Sequence, residues 1–267
     1  MSKKSSSKTN FLAQGTILVI ASFVAKAIGM IYRIPLTHIL GDDGNGYYST
    51  ANEIYTIILM ISSFSLPLAV SRLVAEREYA GEVKNSYRVL ICSLRFAAVT
   101  GGILSILTFL LGGVITKYVM GVELASYALR VLAPAIFLFA LTGVLRGFFQ
   151  GHGTMVPTAI SQIIEQVINA IISVAGAYVM LQYGLKLGEK KGDAELGTAL
   201  AAAGGTFGTV ASVGVALLFM IVIYLGYRNG FKRRMKKDKT RRRESDRAIY
   251  RAITYTILPI VLSTLVY

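Results

Sequence analysis

The chain has 267 residues, a net charge of +14, 54% hydrophobic and only 16% charged residues, and a mean hydropathy of +0.58. Soluble domains of this length are rarely so apolar, and a nucleic-acid binder of this charge would not carry repeated apolar runs of helix length. High hydropathy with clustered Lys and Arg therefore implies an integral membrane protein and excludes nucleic acid as a partner. The single cysteine, Cys92, excludes an internal disulfide and a Cys-based metal centre, and His38 and His152 have no zinc spacing, so no cofactor or metal is expected.

A bilayer core takes about 20 mostly apolar residues in helix. The first ten residues, MSKKSSSKTN, read as a polar, basic N-terminus, and the run that follows lacks a cleavage site, which implies a retained membrane helix. The first apolar segment runs from about Phe11 to Leu40 and contains Lys26 and Arg33. The second covers Tyr47 to Val74, the third Val89 to Thr116 with Arg95 inside, and the fourth Leu124 to Phe149 with Arg130 and Arg146. The fifth runs from Met155 to Leu185 around Glu165, and the sixth, Leu196 to Tyr227, has no charge. A basic loop spans 228–251, and a seventh helix starts near Ala252 and is still apolar at Tyr267, so a chain truncated within that helix is expected. The fold class is thus all-α and polytopic. GDDGNG (Gly41 to Gly46) is turn chemistry without the ligand alternation and closing Glu of a calcium loop, and GHG (Gly151 to Gly153) reads as a second turn. Pro67 and Pro134 sit where a lost hydrogen bond permits a kink.

Twelve of the 28 Lys and Arg lie between Arg228 and Arg251. With the N-terminus inside, that loop and most other loop cations fall on the cytoplasmic side, which is the arrangement the positive-inside rule favours. The basic loop is expected to attract anionic membrane lipids, each cation contributing about 1 kcal/mol near the surface.

Charge within the apolar zone carries the functional reading. An ionisable residue at the centre of a spanning helix costs about 2.5–3.5 kcal/mol. Lys26, Arg33, Arg95 and Arg130 outnumber Glu53 and Glu165 there. If both acids pair, two cations remain, and unpaired charge is tolerated only beside water or an anion. Lys26 and Arg33 lie seven apart, two turns along one helix face, with Gly29 between them. Depth places Glu53 near Arg33 or Arg130, and Lys26 within reach of Glu165. Gln162, Glu165, Gln166 and Asn169 follow i, i+3, i+4, i+7 and form a polar stripe expected to point away from lipid.

Three stretches carry a family resemblance: SFVAKAIGMIYRIPLTHILG (Ser22 to Gly41), LPLAVSRLVAE (Leu66 to Glu76) and LRGFFQGHGTMVPTAISQIIEQVIN (Leu145 to Asn169). They resemble SpoVB-like polysaccharide exporters of the multidrug/oligosaccharidyl-lipid/polysaccharide flippase superfamily, which also includes the lipid II flippase MurJ. The resemblance implies two helical lobes around a central cavity. Residues 11–227 would form a six-helix N-lobe, 228–251 the cytoplasmic interlobe loop, and 252–267 the start of helix seven. It also implies a multi-pass protein of a bacterial cytoplasmic membrane, a transporter and not an enzyme. That transporter would flip or export an anionic lipid-linked oligosaccharide, a peptidoglycan or polysaccharide precursor, by alternating access. Lys26, Arg33, Arg72 and Arg77 match positions expected to engage the lipid-linked pyrophosphate. Arg95 and Arg130 join them as candidate substrate-binding cations, and Glu53 and Glu165 are the candidates for coupling to Na+ or H+. The rival readings are a multidrug exporter of the same fold and an inactive truncated lobe or structural membrane subunit.

Overall fold

The computed structural model describes residues 2–193, 195–238, 240 and 243–266, with side chains described from Gln14 onward apart from residue 260 and those after Leu262. No strand occurs among the described residues. The helices are α1 (Ser2–Ser62), α2 (Leu66–Tyr79), α3 (Val83–Val114) with a π-helical turn Ile115–Val119, α4 (Ala125–Gly151), α5 (Val156–Lys191), α6 (Leu196–Lys237) and α7 (Asp246–Val266). The runs Gln14–Tyr79, Val83–Val119, Ala125–Gly151, Val156–Lys191 and Leu196–Lys237 are each long and apolar enough to cross a membrane. The protein is a multi-pass membrane protein.

The first helix is two rods. Gly41 has φ 65° and ψ −172°, a backbone state that a side chain disfavours. A continuous helix would hold residues sixteen apart at about 24 Å, yet Arg33 Nη2 donates to Ser49 Oγ at 3.5 Å. The chain therefore doubles back at the glycine-rich turn. The returning rod then breaks inside its own span. After Ser62 come three residues of turn, and α2 restarts with Pro67 in its first turn, where a missing N–H does no harm. Ser62, Ser63 and Ser65 are buried there, and the Leu66 amide donates to Ser63 O at 3.2 Å. The expected kink at Pro67 is thus a full interruption.

Glycine controls the packing, because association between lipid-embedded helices depends on close approach of backbones. A Cβ on Gly147 of α4 would lie 2.5 Å from the Pro67 carbonyl oxygen, so α4 seats the broken helix directly. Between α5 and α6 the fit is tighter still. Cβ atoms on Gly176 or Gly204 would stand 2.5 and 2.2 Å from each other's carbonyl oxygens, and one on Gly208 would stand 2.1 Å from Ser173 Oγ.

Two apolar cores result. One lies toward the end where α2 meets α3 and α6 meets α7, built on Leu66, Val70, Val89, Leu90, Phe148, Phe149 and Met220. The other lies toward the Gly41 turn, built on Leu36, Leu40, Tyr48, Leu132 and Ile136.

The basic stretch expected as a loop over 228–251 is mostly helical. Helix α6 continues to Lys237, and α7 begins at Asp246. Lys and Arg are good helix formers, and cations at a helix C-terminus complement its dipole. Phe231 fastens the extension by packing its ring 5.1 Å from that of Phe148 and 4.8 Å from that of His152.

Candidate functional site

The charged face of α1 stands open. Lys26 and Arg33 are both exposed, and neither belongs to an ion pair among the described residues. Because the chain doubles back at Gly41, the second rod of α1 lies beside Arg33. A groove of about 460 Å3 opens there, lined by Arg33, Ser49, Asn52, Glu53, Thr56, Ile57 and Met60. It sets one cation and one carboxylate, uncommitted to each other as an ion pair, among hydroxyl and amide groups. Glu53 near Arg33 is the arrangement that depth implied. Lys26 lies outside this groove, two turns along the same helix.

The polar stripe of α5 faces α1. Ser22 Oγ donates to Gln162 Oε1 at 3.3 Å, a Cβ on Gly29 would lie 3.6 Å from Gln166 Oε1, and Asn169 Nδ2 donates to Tyr32 Oη at 3.0 Å. Asn169 Oδ1 also accepts from Ser173 Oγ at 2.9 Å. Gln162 and Asn169 find hydrogen-bond partners within the bundle, as a polar group in hydrocarbon must. These contacts fix the rotation of α1, and with it the direction in which Lys26 and Arg33 project.

Glu165 has a different partner from the one its depth implied. Arg146 Nη2 contacts Glu165 Oε2 at 2.7 Å, and Arg146 Nε donates to Ser161 Oγ at 2.9 Å. The side chains are only 8% and 14% exposed. Here Arg146 is the buried countercharge, and Lys26 is not. The reason is geometric: only the short His152–Met155 connection separates α4 from α5, so the last turns of α4 lie beside the first turns of α5. His152 also has a role beyond a turn. Its Nε2 stands 3.2 Å from Glu78 Oε1, its Nδ1 lies 2.8 Å from Phe148 O, and Arg234 pairs with the other Glu78 oxygen.

The remaining candidate cations are dispersed. Arg72 forms an exposed i,i+4 pair with Glu76 at 3.1 Å on α2, an arrangement of little energetic weight. Arg130 lies over α3, where a Cβ on Gly113 would meet its Nη2 at 3.1 Å. Arg77 is 13% exposed and engages both oxygens of Glu244, at 3.2 and 3.0 Å. Arg95 reaches Asp246 at 3.5 Å, and Arg88 pairs with the same carboxylate. Lys84 Nζ donates to Asp238 O at 2.8 Å. Asp238 and Glu244 of the α6–α7 connection and Asp246 at the start of α7 thereby fasten this stretch to α2 and α3. Burial pushes Asp238 up, but hydrogen bonds from Thr240 and from the Lys84 amide outweigh it and hold the carboxyl below its ordinary range. No cluster of His, Cys, Asp and Glu suited to a metal occurs among the described residues.

A hairpin first helix, an interrupted second span and a glycine-packed pair of helices define one lobe of a MATE-like fold. A multidrug resistance MATE family transporter of the MOP superfamily, solved in an outward-facing conformation, is similar with a TM-score of 0.74 and 20% identity over 97% of this chain and 53% of that one. A MATE structure in complex with MaD3S gives 0.76 and 19% identity, over 97% and 54%. The chain belongs to the polysaccharide biosynthesis protein family, whose model matches residues 11–242. Stage V sporulation protein B of Bacillus subtilis (strain 168) is 29% identical over 217 residues, which is 81% of this chain and 39% of that protein. The lipid II flippase MurJ of the same organism is 27% identical over 180 residues, or 64% and 33%. The chain spans well under half the length of these relatives.

Proposed function

We propose that this chain forms the first lobe of a flippase that carries an anionic lipid-linked oligosaccharide across a bacterial cytoplasmic membrane by alternating access. One observation carries the reading: two cations on one face of α1, Lys26 and Arg33, are exposed and free of ion pairs among the described residues, with a polar groove beside the second. Charge of this kind suits a water-filled chamber that receives a pyrophosphate, while the lipid tail stays in the bilayer. Kinship with a protein named as a lipid II flippase supports the same substrate class. In this reading residues 11–227 form the lobe, 228–251 connect it at the cytoplasmic face, and 252–267 lead into the next span. The N-terminus is cytoplasmic, and the basic connection rests on anionic lipid. Arg72 also faces open space, whereas Arg77 and Arg95 act in the connection's ion pairs and Arg130 acts at the α3 contact. Glu53 is the better placed carboxylate for Na+ or H+ coupling, because Arg146 already holds Glu165.

The MATE-like fold, together with the Glu53 carboxylate in the groove, favours a second reading as a cation-coupled multidrug exporter. Binding to protein in nanodiscs separates the two. Lys26→Ala and Arg33→Ala are each expected to weaken binding of a pyrophosphate-linked oligosaccharide lipid by about tenfold or more, the scale of one lost charge-assisted hydrogen bond. Unchanged binding in both variants, or binding of cationic dyes alone that depends on Glu53, would overturn the flippase reading.

A further inference from the structure

We propose that the basic end of the molecule contains a discrete phosphate-binding site, separate from the α1 face. A pocket of about 570 Å3 lies between α3, α6 and the connection to α7, lined by Lys84, Tyr87, Arg88, Lys232, Met235, Lys236 and Arg243. Five of these seven residues are cations. Their volume and chemistry suit a phosphate bearing a glycerol- or sugar-sized group, with the Tyr87 ring and the Met235 side chain as apolar wall.

Charge compensation is uneven around this pocket, and the unevenness points to the ligand. Some neighbouring cations outside it are matched, Arg77 by Glu244, Arg95 by Asp246 and Arg234 by Glu78, while Arg228, Arg233 and Lys237 lie exposed on α6 without an ion pair among the described residues. Within it, Arg88 pairs with Asp246, whereas the Lys84 ammonium donates to the main-chain carbonyl of Asp238 and has no ion pair among the described residues. Lys232, Lys236 and Arg243 have no ion pair among the described residues. Lys232 and Lys236 are also four apart on one face of α6, a spacing at which like charges repel and a shared anion relieves the repulsion. The Nε of Arg88 is buried without a hydrogen-bond partner. A phosphate with several acceptor oxygens answers all of these features, and guanidinium and ammonium groups are the usual donors to it.

The site gathers residues from three separate parts of the chain. Lys84 and Arg88 begin α3, Lys232 and Lys236 end α6, and Arg243 lies in the connection. A bound phosphate would therefore add a tie between the connection and the bundle beside those that Asp238 and Asp246 make to Lys84 and Arg88. The pocket lies at the end of the molecule opposite the Gly41 turn and the Arg33 groove, so its occupant is not the headgroup held there.

The phosphate could belong to an anionic phospholipid headgroup or to a soluble phosphate compound, and one experiment distinguishes them. The full chain is placed in nanodiscs of phosphatidylcholine, with or without phosphatidylglycerol. Retained phosphatidylglycerol is measured by native mass spectrometry, and inorganic pyrophosphate binding is measured by calorimetry in the phosphatidylcholine discs. The test variant is Lys232→Gln with Lys236→Gln and Arg243→Gln. The control is Arg228→Gln with Arg233→Gln and Lys237→Gln, which removes the same charge from exposed positions of α6 outside the pocket. The pocket variant is expected to bind about a hundredfold more weakly, the product of three cations near an anionic group. The control should stay within about threefold of wild type. Pyrophosphate binding that the pocket variant loses identifies a soluble source, and phosphatidylglycerol retention alone identifies a lipid source. Equal losses in the two triple variants, no loss in the pocket variant, or no binding of either probe by wild type overturns the proposal. Should the pocket variant fail to fold, Lys232→Gln alone replaces it and must still weaken binding relative to Arg228→Gln.

Discussion

Two regions of this molecule use the same residue types for different ends. Around the α6–α7 connection, Arg77, Arg88, Arg95 and Arg234 each meet a carboxylate, and the acids that meet them come from distant parts of the chain. On α1, Lys26 and Arg33 have no such partner among the described residues, although Glu53 lines the same groove as Arg33. The first arrangement fastens a connection; the second leaves charge available. Formal charge does not separate them. What separates them is whether the fold brings an opposite charge into reach, and the buried Arg146–Glu165 pair is the extreme case of the fastened kind.

This contrast can be broken by removing one charge at a time. The largest effect on stability is expected at Glu165→Ala, which leaves Arg146 buried and uncompensated. Loss of one partner of a buried pair costs about 3–5 kcal/mol, whereas replacing both with Met should restore most of it. Thermal unfolding in detergent measures both variants. Glu244→Ala should cost only about 1 kcal/mol, because the carboxylate is partly solvated and the largely buried Arg77 keeps Glu76 as a partner, and it should expose the connection to limited proteolysis. Acidification probes the same connection through Asp238. Its folded pKa lies below the unfolded value of about 3.9. The carboxylate therefore stabilises the fold above that pH, and the contribution is lost as pH falls through the lower folded value. Faster cleavage at low pH is expected in wild type, with less pH dependence in Asp238→Asn. The smallest effect belongs to Lys26→Ala and Arg33→Ala, each expected to shift stability by no more than about 0.5 kcal/mol while weakening anion binding. A large destabilisation there would show that these cations are structural and would erase the contrast.

Much of the fold was legible because lipid imposes a simple rule on composition: each apolar run of sufficient length became a helix. The Gly41 turn was readable from its glycines, and the stripe Gln162, Gln166 and Asn169 from its period. The full break at Ser63–Ser65 was less so. Pro67 marks it, but its extent depends on α4 offering Gly147 to the exposed backbone. The helical extension to Lys237 was hidden because charge was read as loop, and the features that fasten it, the burial of Phe231 and the Arg234–Glu78 pair, are tertiary. At the candidate site, Arg33 and Glu53 were placed together by depth. The Glu165 partner was missed because Arg146, near the end of an apolar run, was not counted among the charges of the apolar zone. Proximity across the short His152–Met155 turn was the available signal, since it sets Arg146 beside Ser161, one turn before Glu165 on the same face of α5. The role of His152 depends on Glu78 and Arg234, far away in sequence, and no local pattern announces it.

The glycine contacts between α5 and α6 have a mechanical consequence. With main chain pressed on main chain at Gly176 and Gly204, these two rods have no layer of side chains between them to shear. They must travel as a single plank. The main chain is least braced instead where the hydrogen-bond ladder is already open, in the three-residue gap Ser63–Ser65 before α2.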